Sequence, residues 1–586
     1  MQAPPPPVSF GARRRAVRRH LAVADALTAA AFAAFLAFVV VSNDFDWDHF
    51  LAAAEVDLRA WLVDHEAPLW SYQLCGGVTR LGDPQASGLS PLFAVVLVFG
   101  AFWGLKLTVF GLALAGQVAL ARMLEVVARP STPGRPGPVT RGLLRSLSAA
   151  YVLGNFFLWH AHHGHVTFAL GHLALVLVAL VVTALARPLS WQRAGLAVGA
   201  SFTFFSAGFY GALVFFLVPV SVALAAWLAW LLARGRRPEV KRVLAMAGLA
   251  VAGLLLAAYK PLGVLSYQGT FPRVVTAAPA AGVDGTTPWH SLVYQLVPSF
   301  DYQFAGVWRG AGPYALWEYS AFGLDAWLCV AGAVALVAAK RRREVRERAW
   351  VVLPLLLVAV ASLFALGDHA PWSLLSLLNV PLEHSVRVAG RFQGVLPLAW
   401  ALFGALLLAR LPGLRRAYFR RALWVVPVLL VLNLATFRAS LRPASVMEVL
   451  SQPAEPLSQM RALVTVKPRA LTASFMGAAV QSGLGVLNCY DPLARDHRMT
   501  SEKIPVQPEL RDASGALRTE VLLPLVEPVP GPGAEACVKD SHFTQQAVVL
   551  SDTCAPGTCV NLNGLNLYRP QRLVLDPARG KFCLPP

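Results

Sequence analysis

Apolar runs of about twenty residues recur along the chain, and such a run crosses the hydrocarbon core of a bilayer as one helix. The first run begins at Leu21 and ends at Val41. Hydrophobic residues make up 56% of the 586 residues and charged residues only 14%. This composition predicts a polytopic helical membrane protein. The net charge of +19 lies in short clusters between the runs, which is typical of topology signals and gives no reason to expect a nucleic-acid partner.

The basic clusters predict the direction of each crossing, because segments rich in Lys and Arg stay in the cytoplasm. An even number of spans must then separate adjacent clusters, which gives about eleven spans in total. The predicted spans are Leu21–Val41, Leu105–Leu124, two within Ser146–Ala186, two within Ala194–Ala233, Val243–Tyr259, Ala321–Ala339, Trp350–Leu366, Phe392–Ala409 and Ala422–Phe437. Turns are expected near His160–His165 and Ser206–Gly208.

Three parts follow from this topology: a cytoplasmic basic tail (1–20), a transmembrane domain (21–437) with outer loops at 42–104 and 262–320, and an extracytoplasmic carboxyl-terminal domain (438–586). The fold class is therefore mainly α, a transmembrane helical bundle with a small β-containing outer domain. Two short strands flank Asn563-Gly564, which predicts a tight hairpin.

Five of the seven cysteines lie in this carboxyl-terminal domain, and an oxidising outer location permits disulfides. About two bridges with one cysteine left over are expected from this number. Cys554 and Cys559 are the nearest pair in sequence, and the odd cysteine could reach Cys75 in the first outer loop.

The first outer loop carries eight carboxylates and two arginines before Pro91. Asp44, Asp46 and Asp48 cluster directly after the first span, where acidic groups need water, a cation or a function. Apolar residues recur at helical spacing over Asp48–Asp64, which predicts an interfacial helix with Glu55, Asp57, Arg59 and Asp64 on its solvated face. A short apolar piece, Pro91–Trp103, is expected to lie along the membrane before the crossing at Leu105.

Short motifs at the outer side carry a family resemblance. They are Pro68-Leu69-Trp70, Cys75-Gly76-Gly77, Asp83-Pro84-Gln85, Ser90-Pro91, Trp317-Glu318-Tyr319, Arg387-Val-Ala-Gly-Arg391-Phe392 and Asn488-Cys489-Tyr490-Asp491-Pro492-Leu493. With the layout of roughly the first 440 residues, they resemble the YfhO-type family of bacterial membrane proteins, within the superfamily of GT-C glycosyltransferases. Asp491 stands where that family usually has a glutamate.

The resemblance implies an enzyme of the bacterial inner membrane with its active site on the periplasmic side. Such enzymes take a sugar from a polyprenyl-phosphate carrier and pass it to a glycan, lipid or protein acceptor, with an acid of the first outer loop as base. The choice of base lies between Asp46 and Asp48, with Asp44 beside them. Asp48 as a helix cap is the structural alternative.

Elementary chemistry agrees with these roles, since attack by a hydroxyl needs a carboxylate base and a phosphate leaving group needs a cation. Arg387 and Arg391 are four residues apart and share one face if the segment is helical, so they are expected to hold the donor phosphate. Snorkelling to lipid head groups or pairing with Glu383 is the alternative. The remaining predicted substrate-binding residues are Glu318, His165, Trp70 and Gln85.

Five histidines, His160, His162, His163, His165 and His172, crowd one turn, and an interfacial polar turn is favoured over a metal site. No metal ligand is assigned, and the sequence leaves open whether Mg²⁺ or Mn²⁺ takes part. Two other functions stay open: a transporter or flippase for a lipid-linked saccharide, and a non-catalytic assembly factor of the cell envelope. Identity of sugar and acceptor is not encoded in any motif.

Overall fold

The computed structural model describes residues 45–71, 74, 78–128, 138–162, 164–270, 345–366 and 389–410, with five positions of the first predicted span and the strands of the carboxyl-terminal tail. The predicted spans Ala321–Ala339 and Ala422–Phe437 lie outside these residues. The described part is mostly helical. Its helices are α1 (Phe45–Leu62), α2 (Phe93–Val127), α3 (Pro138–Val152), α4 (Asn155–His162), α5 (Leu170–Thr183), α6 (Trp191–Ser206), α7 (Tyr210–Ala233), α8 (Arg237–Leu256), α9 (Tyr259–Thr270), α10 (Val345–Leu366) and α11 (Leu396–Arg410).

Four helical segments of the described part are long and apolar enough to cross a membrane. They are Phe93–Val127, Val166–Thr183, Tyr210–Ala233 and Arg391–Leu408, and the bent pair Arg237–Leu256 with Tyr259–Tyr267 makes a fifth if it counts as one span. These helices indicate a membrane protein. They are fewer than the eleven expected spans, and several predicted spans fall partly or wholly outside the described residues.

The helices pack as a bundle with a common apolar core. Helix α2 packs against α3 and α5, α8 packs against α6, and α10 packs against α7 and α11. Phe32, from the first predicted span, is buried and stacks on Phe110 of α2 with ring centroids 6.0 Å apart. Helices that are apolar on nearly all sides are expected in such an arrangement, because both the neighbouring helices and the lipid are apolar.

Both predicted turns of the bundle are confirmed. Helix α4 ends at His162, and a 3₁₀ helix (Val166–Ala169) begins after Gly164, whose positive φ of 80° suits a residue without a Cβ atom. Helix α6 ends at Ser206, and α7 begins at Tyr210. The stretch predicted to hold two spans, Ser146–Ala186, carries an additional break between α3 and α4.

Helix α2 reverses sharply at Gly100, whose φ of 74° and ψ of 170° are not helical. A Cβ atom on Gly104 would collide with the backbone at Val96, so the two halves of α2 lie against each other at this point. The sequence predicted a separate short piece ending at Gly104. The piece exists, but the break comes at Gly100, because that glycine adopts the left-handed backbone while Gly104 provides the close approach.

Helix α1 has the predicted position, but its predicted orientation is wrong. Asp57 and Arg59 were expected on a solvated face, and both are almost completely buried. Trp61 and Leu62, expected on the buried face, are exposed at the end of the helix. The helix is therefore packed into the protein on both sides instead of lying on the membrane surface, since its buried polar side chains meet partners from the loop that follows.

The described tail residues form two four-stranded sheets, with strand orders β6-β5-β10-β9 and β4-β3-β8-β7. The strands are β3 (Ala462–Val466), β4 (Leu484–Val486), β5 (Cys537–Asp540), β6 (Val548–Leu550), β7 (Cys559–Leu562), β8 (Leu565–Tyr568), β9 (Val574–Asp576) and β10 (Lys581–Cys583). Leu562 pairs with Leu565, which confirms the hairpin at Asn563-Gly564. A small β1–β2 ladder, Trp70–Ser71 with Val78–Thr79, precedes α2.

The register of the tail strands brings two cysteines together that the sequence did not pair. Cys537 of β5 lies directly opposite Cys583 of antiparallel β10. Cα atoms of such opposite residues are about 4.5–5.5 Å apart, within the range that a disulfide spans. Cys559 lies opposite Tyr568. Its expected partner Cys554 and the first-loop Cys75 lie outside the described residues.

Candidate functional site

Four buried charged side chains meet where the loop after β2 packs against α1 and α9. We call Asp57, Arg80, Asp83 and Lys260 the loop cluster; each exposes 3% of its surface or less. Arg80 donates from Nε to Asp57 Oδ1 at 2.8 Å and from Nη2 to Asp57 Oδ2 at 2.9 Å. Its Nη1 donates to Asp83 Oδ2. A guanidinium fork matches carboxylates in this two-pronged way, so Arg80 ties α1 to the loop.

Lys260 completes the loop cluster from α9. Its Nζ donates to the main-chain carbonyl oxygens of Arg80 at 2.8 Å and Asp83 at 2.6 Å. Close packing accompanies these bonds, because a Cβ atom on Gly263 of α9 would lie 2.8 Å from Leu81 Cγ. Two acids and two bases make the loop cluster formally neutral, which is the condition under which buried charges are tolerated.

The charge of Arg80 does not depend on pH in any ordinary range. Burial by itself would lower its pKa, but the carboxylates of Asp57 and Asp83 outweigh the burial and raise the pKa above that of ordinary arginine. The positive charge at the centre of the loop cluster is therefore fixed, and Arg80 acts as a support for the residues around it.

The loop from Arg80 to Ser90 is held in one conformation by bonds from several elements. The Gln85 N–H donates to Asp83 Oδ1 at 2.8 Å, and Trp61 Nε1 of α1 donates to the Gly88 carbonyl at 2.9 Å. Gly208, in the turn between α6 and α7, lies so close that a Cβ atom there would collide with the Gln85 carbonyl. These contacts fix the position of the Gln85 backbone against the helical bundle.

An open cavity lies between α1, α2, the start of α5 and this loop. Its polar lining comes from Asp57, Arg80, Gln85, Ser87, Thr108 and Thr167. Its apolar lining comes mostly from α1, α2 and the 3₁₀ helix that leads into α5, with Phe50, Leu92, Phe93, Val96, Leu105, Val109, Leu112, Val166 and Leu170 among the contributors. Mixed walls of this kind suit an amphipathic molecule.

Gln85 is the predicted substrate-binding residue that the structure places in the cavity lining. Its Oε1 atom is buried and has no hydrogen-bond partner among the described residues. A buried acceptor without a partner is costly, and a bound ligand with a donor group would remove that cost.

A second group of polar side chains lies near the start of α5. We call His160, His165, Phe168 and Arg391 the histidine–aromatic corner. The Nδ1 atoms of His160 and His165 are 2.6 Å apart, so one ring carries the proton that the other accepts. The His160 ring lies parallel to the Phe168 ring, with an interplanar angle of 3° and centroids 4.1 Å apart.

Arg391 reaches the same aromatic ring from the other end of the described chain. Its guanidinium carbon lies 5.4 Å from the Phe168 centroid and 5.7 Å from the Phe215 centroid, which are cation–π distances. Two predicted substrate-binding residues, His165 and Arg391, are thereby brought to one ring. Thr167, directly before Phe168, lines the cavity, so the histidine–aromatic corner and the cavity are neighbours.

Only one member of the arginine pair is described. Arg391 lies in a 3₁₀ helix, Ala389–Val395, which begins after Arg387. The shared face of Arg387 and Arg391 therefore stays a prediction. Arg387 itself lies outside the described residues.

The predicted catalytic acids belong to the beginning of α1 or directly precede it. Trp47 Nε1 donates to the Ala161 carbonyl at 2.9 Å, which ties the first turn of α1 to the histidine–aromatic corner. Asp46 and Asp48 flank Trp47 in the helix, while their side chains and all of Asp44 lie outside the described residues. The backbone of the predicted base thus lies at the same end of the bundle as His165 and Arg391.

The other predicted site residues are placed apart or not described. Trp70 pairs with Thr79 in the β1–β2 ladder, is about half exposed and does not line the cavity. Glu318 lies outside the described residues. His172 is buried inside α5 between the rings of Tyr151 and Phe157 and does not belong to the polar turn.

Metal ligation has no support among the residues with described side chains. Within them, no group of three or more His, Cys, Asp and Glu side chains is arranged to hold an ion. His162 and His163, which complete the predicted cluster, have side chains outside the description.

Sequence reasoning missed the loop cluster. It assigned Asp57 to a solvated face and counted Arg80 only as one of two arginines in an acidic loop. The available signal was the pairing of those two arginines with an excess of acids directly beside a membrane span, where unpaired charge is costly. Lys260 gave no signal at all, because it lies 177–180 residues from the carbonyl oxygens that it contacts.

Comparison with known proteins adds no relative. The sequence matches no protein-family model and no curated protein.

Proposed function

We propose that the chain is a membrane glycosyltransferase of GT-C type. It transfers a sugar from a polyprenyl-phosphate donor to a glycan, lipid or protein acceptor of the bacterial cell envelope. The observation that carries the proposal is the convergence at one end of the bundle. His165 and Arg391 lie around Phe168, and Trp47 ties the acid-bearing first turn of α1 to Ala161, next to His160. An amphipathic cavity adjoins this group.

The roles follow from the chemistry of the transfer. The acceptor hydroxyl attacks the anomeric carbon of the donor, and the carboxylate of Asp46 or Asp48 takes the hydroxyl proton. The bond from the anomeric carbon to the phosphate oxygen breaks, and the polyprenyl phosphate leaves with the negative charge. Arg391 stabilises that charge, which is the contribution expected of a positioned cation at a leaving phosphate.

A membrane topology belongs to the same proposal. The chain crosses the bacterial inner membrane about eleven times, with a cytoplasmic amino end and the carboxyl-terminal domain in the periplasm. The contact between Lys260 and the loop after β2 supports one part of this topology, because it places the start of the second outer segment beside the first. A reporter that is active only outside the cytoplasm, fused after Pro586, is expected to give a signal; a silent, well-expressed fusion contradicts this topology.

The test of the reaction is a transfer assay with the full chain in membranes. Radiolabelled polyprenyl-phosphate hexose and pentose are supplied, and label is followed into envelope glycan, lipid and protein fractions. Transfer is expected with the native chain and is expected to be lost in Asp46→Asn or Asp48→Asn, which keep the side-chain size but remove the base. The exposed Glu66→Gln, beyond the end of α1, is the matched control.

The assay excludes the proposal if no supplied donor gives transfer above membranes without the protein. Normal transfer in both single variants removes the catalytic role from these acids and leaves the capping role of Asp48.

One observation favours a second function, transport of a lipid-linked saccharide. Lys106 is buried within the spanning helix α2, and its ammonium lies over the Phe102 ring at 4.3 Å. Ionisable residues inside membrane spans commonly belong to transport pathways. Proteoliposomes with a fluorescent lipid-linked saccharide separate the two functions, because transport changes the exposed fraction of the label while transfer changes the product.

A further inference from the structure

The polar end of the cavity offers hydrogen-bond acceptors, and the two cations near it, Arg80 and Lys260, already donate to oxygen atoms of the protein. All three nitrogens of the Arg80 guanidinium donate to the carboxylates of Asp57 and Asp83. Lys260 directs its ammonium at main-chain carbonyl oxygens and does not line the cavity. A phosphate at this end would meet the Asp57 carboxylate beside an arginine that is already paired with two carboxylates, so the local charge disfavours an anion.

Gln85 provides, at the same end of the cavity, an acceptor atom that requires a hydrogen-bond donor. Its buried Oε1 has no hydrogen-bond partner among the described residues, and the Asp57 carboxylate lines the cavity beside it. Hydroxyl groups satisfy both, because each O–H donates one hydrogen bond and a carboxylate oxygen accepts more than one. A sugar or another polyol carries several such groups on neighbouring carbons.

The apolar walls fit a hydrocarbon chain. Val96 precedes the reversal of α2 at Gly100 and Leu105 follows it, so both halves of the helix contribute to the same wall. Around that reversal, Val98, Phe99 and Trp103 are more than half exposed. Large apolar side chains exposed on a membrane-spanning helix face lipid, so the wall of the cavity is also part of the lipid-facing surface.

We propose that this cavity binds the acceptor as an amphipathic lipid with an uncharged, hydroxyl-bearing head group. The head group donates to Gln85 Oε1 and Asp57, and the hydrocarbon chain lies along the walls from α2 and α5. This inference rests on the proposed transfer reaction, and it narrows the acceptor from glycan, lipid or protein to a glycolipid or polyol lipid. The charged donor is held at Arg391, outside the cavity lining.

The binding test uses three photoreactive probes with the same decyl chain and diazirine: a glucoside, a phosphate monoester and the plain alkane. Each is added to the full chain in nanodiscs, and the labelled peptides are identified by mass spectrometry. The glucoside is expected to label peptides spanning 92–112 and 166–170, at least tenfold above the phosphate and the alkane. Equal labelling by the phosphate assigns the cavity to an anion, and equal labelling by the alkane shows a purely apolar pocket; either result overturns the inference.

Variants identify the atoms involved. Gln85→Leu removes the acceptor at similar size and is expected to lower glucoside labelling about five- to tenfold, while alkane labelling stays unchanged. Gln117→Leu is the matched control, because Gln117 is a buried glutamine of α2 that does not line the cavity. Unchanged glucoside labelling in Gln85→Leu contradicts the assigned contact.

The two proposals fail separately. Photolabelling does not require sugar transfer. Selective glucoside labelling without any sugar transfer therefore supports the cavity assignment and contradicts the proposed glycosyltransferase activity. Sugar transfer to a protein or polymer, with no selective labelling by the glucoside, supports the glycosyltransferase activity and contradicts the proposed lipid acceptor.

Discussion

The loop cluster lines part of the cavity, the histidine–aromatic corner adjoins the cavity through Thr167, and the arginines of the two groups have opposite kinds of partner. In the loop cluster, Arg80 bonds directly to the carboxylates of Asp57 and Asp83, and the group is neutral and fully buried. In the corner, Arg391 lies over the faces of two phenylalanine rings and is partly exposed. The cation–π contact of Arg391 is made to ring faces, whereas the Arg80 guanidinium is bonded directly to carboxylate oxygens.

From this difference we expect the loop cluster to support the fold and the histidine–aromatic corner to take part in the proposed reaction. A neutral, hydrogen-bonded cluster stabilises the loop that carries Gln85, whereas a cation on aromatic faces suits binding of a phosphate and stabilisation of its charge. Variants of the first group should therefore change folding, and variants of the second should change turnover. The predictions below test that division.

The largest effect is expected from Arg80→Met. It leaves the buried carboxylates of Asp57 and Asp83 without their partner, and removing one partner of a buried ion pair costs about 3–5 kcal/mol. The free energy of unfolding is measured by denaturant titration in mixed micelles. Arg236→Met is the control, since Arg236 forms a partly exposed pair with Glu239 at 3.4 Å and is expected to cost about 0–1 kcal/mol. Equal losses in both variants would remove the special role of the loop cluster.

Arg391→Ala is expected to lower the rate of sugar transfer about 100- to 1,000-fold with little loss of folding stability. Arg391→Lys keeps the charge but loses the fork of the guanidinium, so its transfer rate is expected to lie between those of the native protein and Arg391→Ala. Donor binding and turnover are measured together. Arg234→Ala serves as control, because Arg234 makes a similar cation–π contact with Trp230 at 5.5 Å outside the histidine–aromatic corner. A native rate in Arg391→Ala assigns Arg391 to anchoring alone.

Phe168→Leu removes the ring shared by His160 and Arg391. A cation–π contact contributes roughly 0.5–2 kcal/mol, so donor affinity is expected to fall about two- to thirtyfold while the maximal rate changes less. Steady-state kinetics with varied donor concentration measure both. Phe205→Leu removes a ring that contacts Phe204 and Phe209 and should leave donor affinity unchanged. Equal changes in the two variants indicate a packing effect only.

The smallest effect concerns Glu55, whose pKa is raised above 4.5 by burial, although Arg59 at 3.5 Å partly lowers it. A raised pKa means that the folded state favours the protonated form, so stability from this group is present below pH 4.5 and lost as pH rises through the folded value. The free energy of unfolding of Glu55→Gln should therefore exceed that of the native protein by less than about 1 kcal/mol at pH 7 and should equal it near pH 4.

The measurement is the unfolding free energy at the two pH values, with exposed Glu66→Gln as a control that changes neither. A loss of stability in Glu55→Gln at pH 7 would show that the ion pair with Arg59 outweighs the burial of the carboxylate.

Local signals in the sequence predicted the local features of the fold well. The hairpin at Asn563-Gly564 and the turns after His162 and Ser206 are confirmed, because glycine chemistry and the ends of apolar runs act over a few residues. The position of α1 was predicted for the same reason. The described residues hold four or five of the eleven expected spans, because short helices such as α6 do not reach the length of a span and other predicted spans lie outside these residues.

The environment of polar residues was not predictable in this way. Helical spacing shows that Asp57 and Arg59 lie away from the apolar face, but it does not show whether water or another charge meets them. The partner of Asp57 is 23 residues away, and Lys260 is farther still. For the candidate site, Gln85, His165 and Arg391 could be predicted as binding residues from the sequence. The cavity near them could not be predicted, because it depends on the reversal of α2 at Gly100.

The bond from Lys260 to the Arg80 carbonyl also sets an order of events during biosynthesis. The two residues are 180 positions apart, so at about 5–20 residues per second the ribosome delivers Lys260 roughly 10–35 s after Arg80. During that interval the loop holds Asp57, Arg80 and Asp83 with one negative charge in excess. The loop can therefore close over its charges only after α9 arrives, and it stays open to chaperones until the chain is nearly half made.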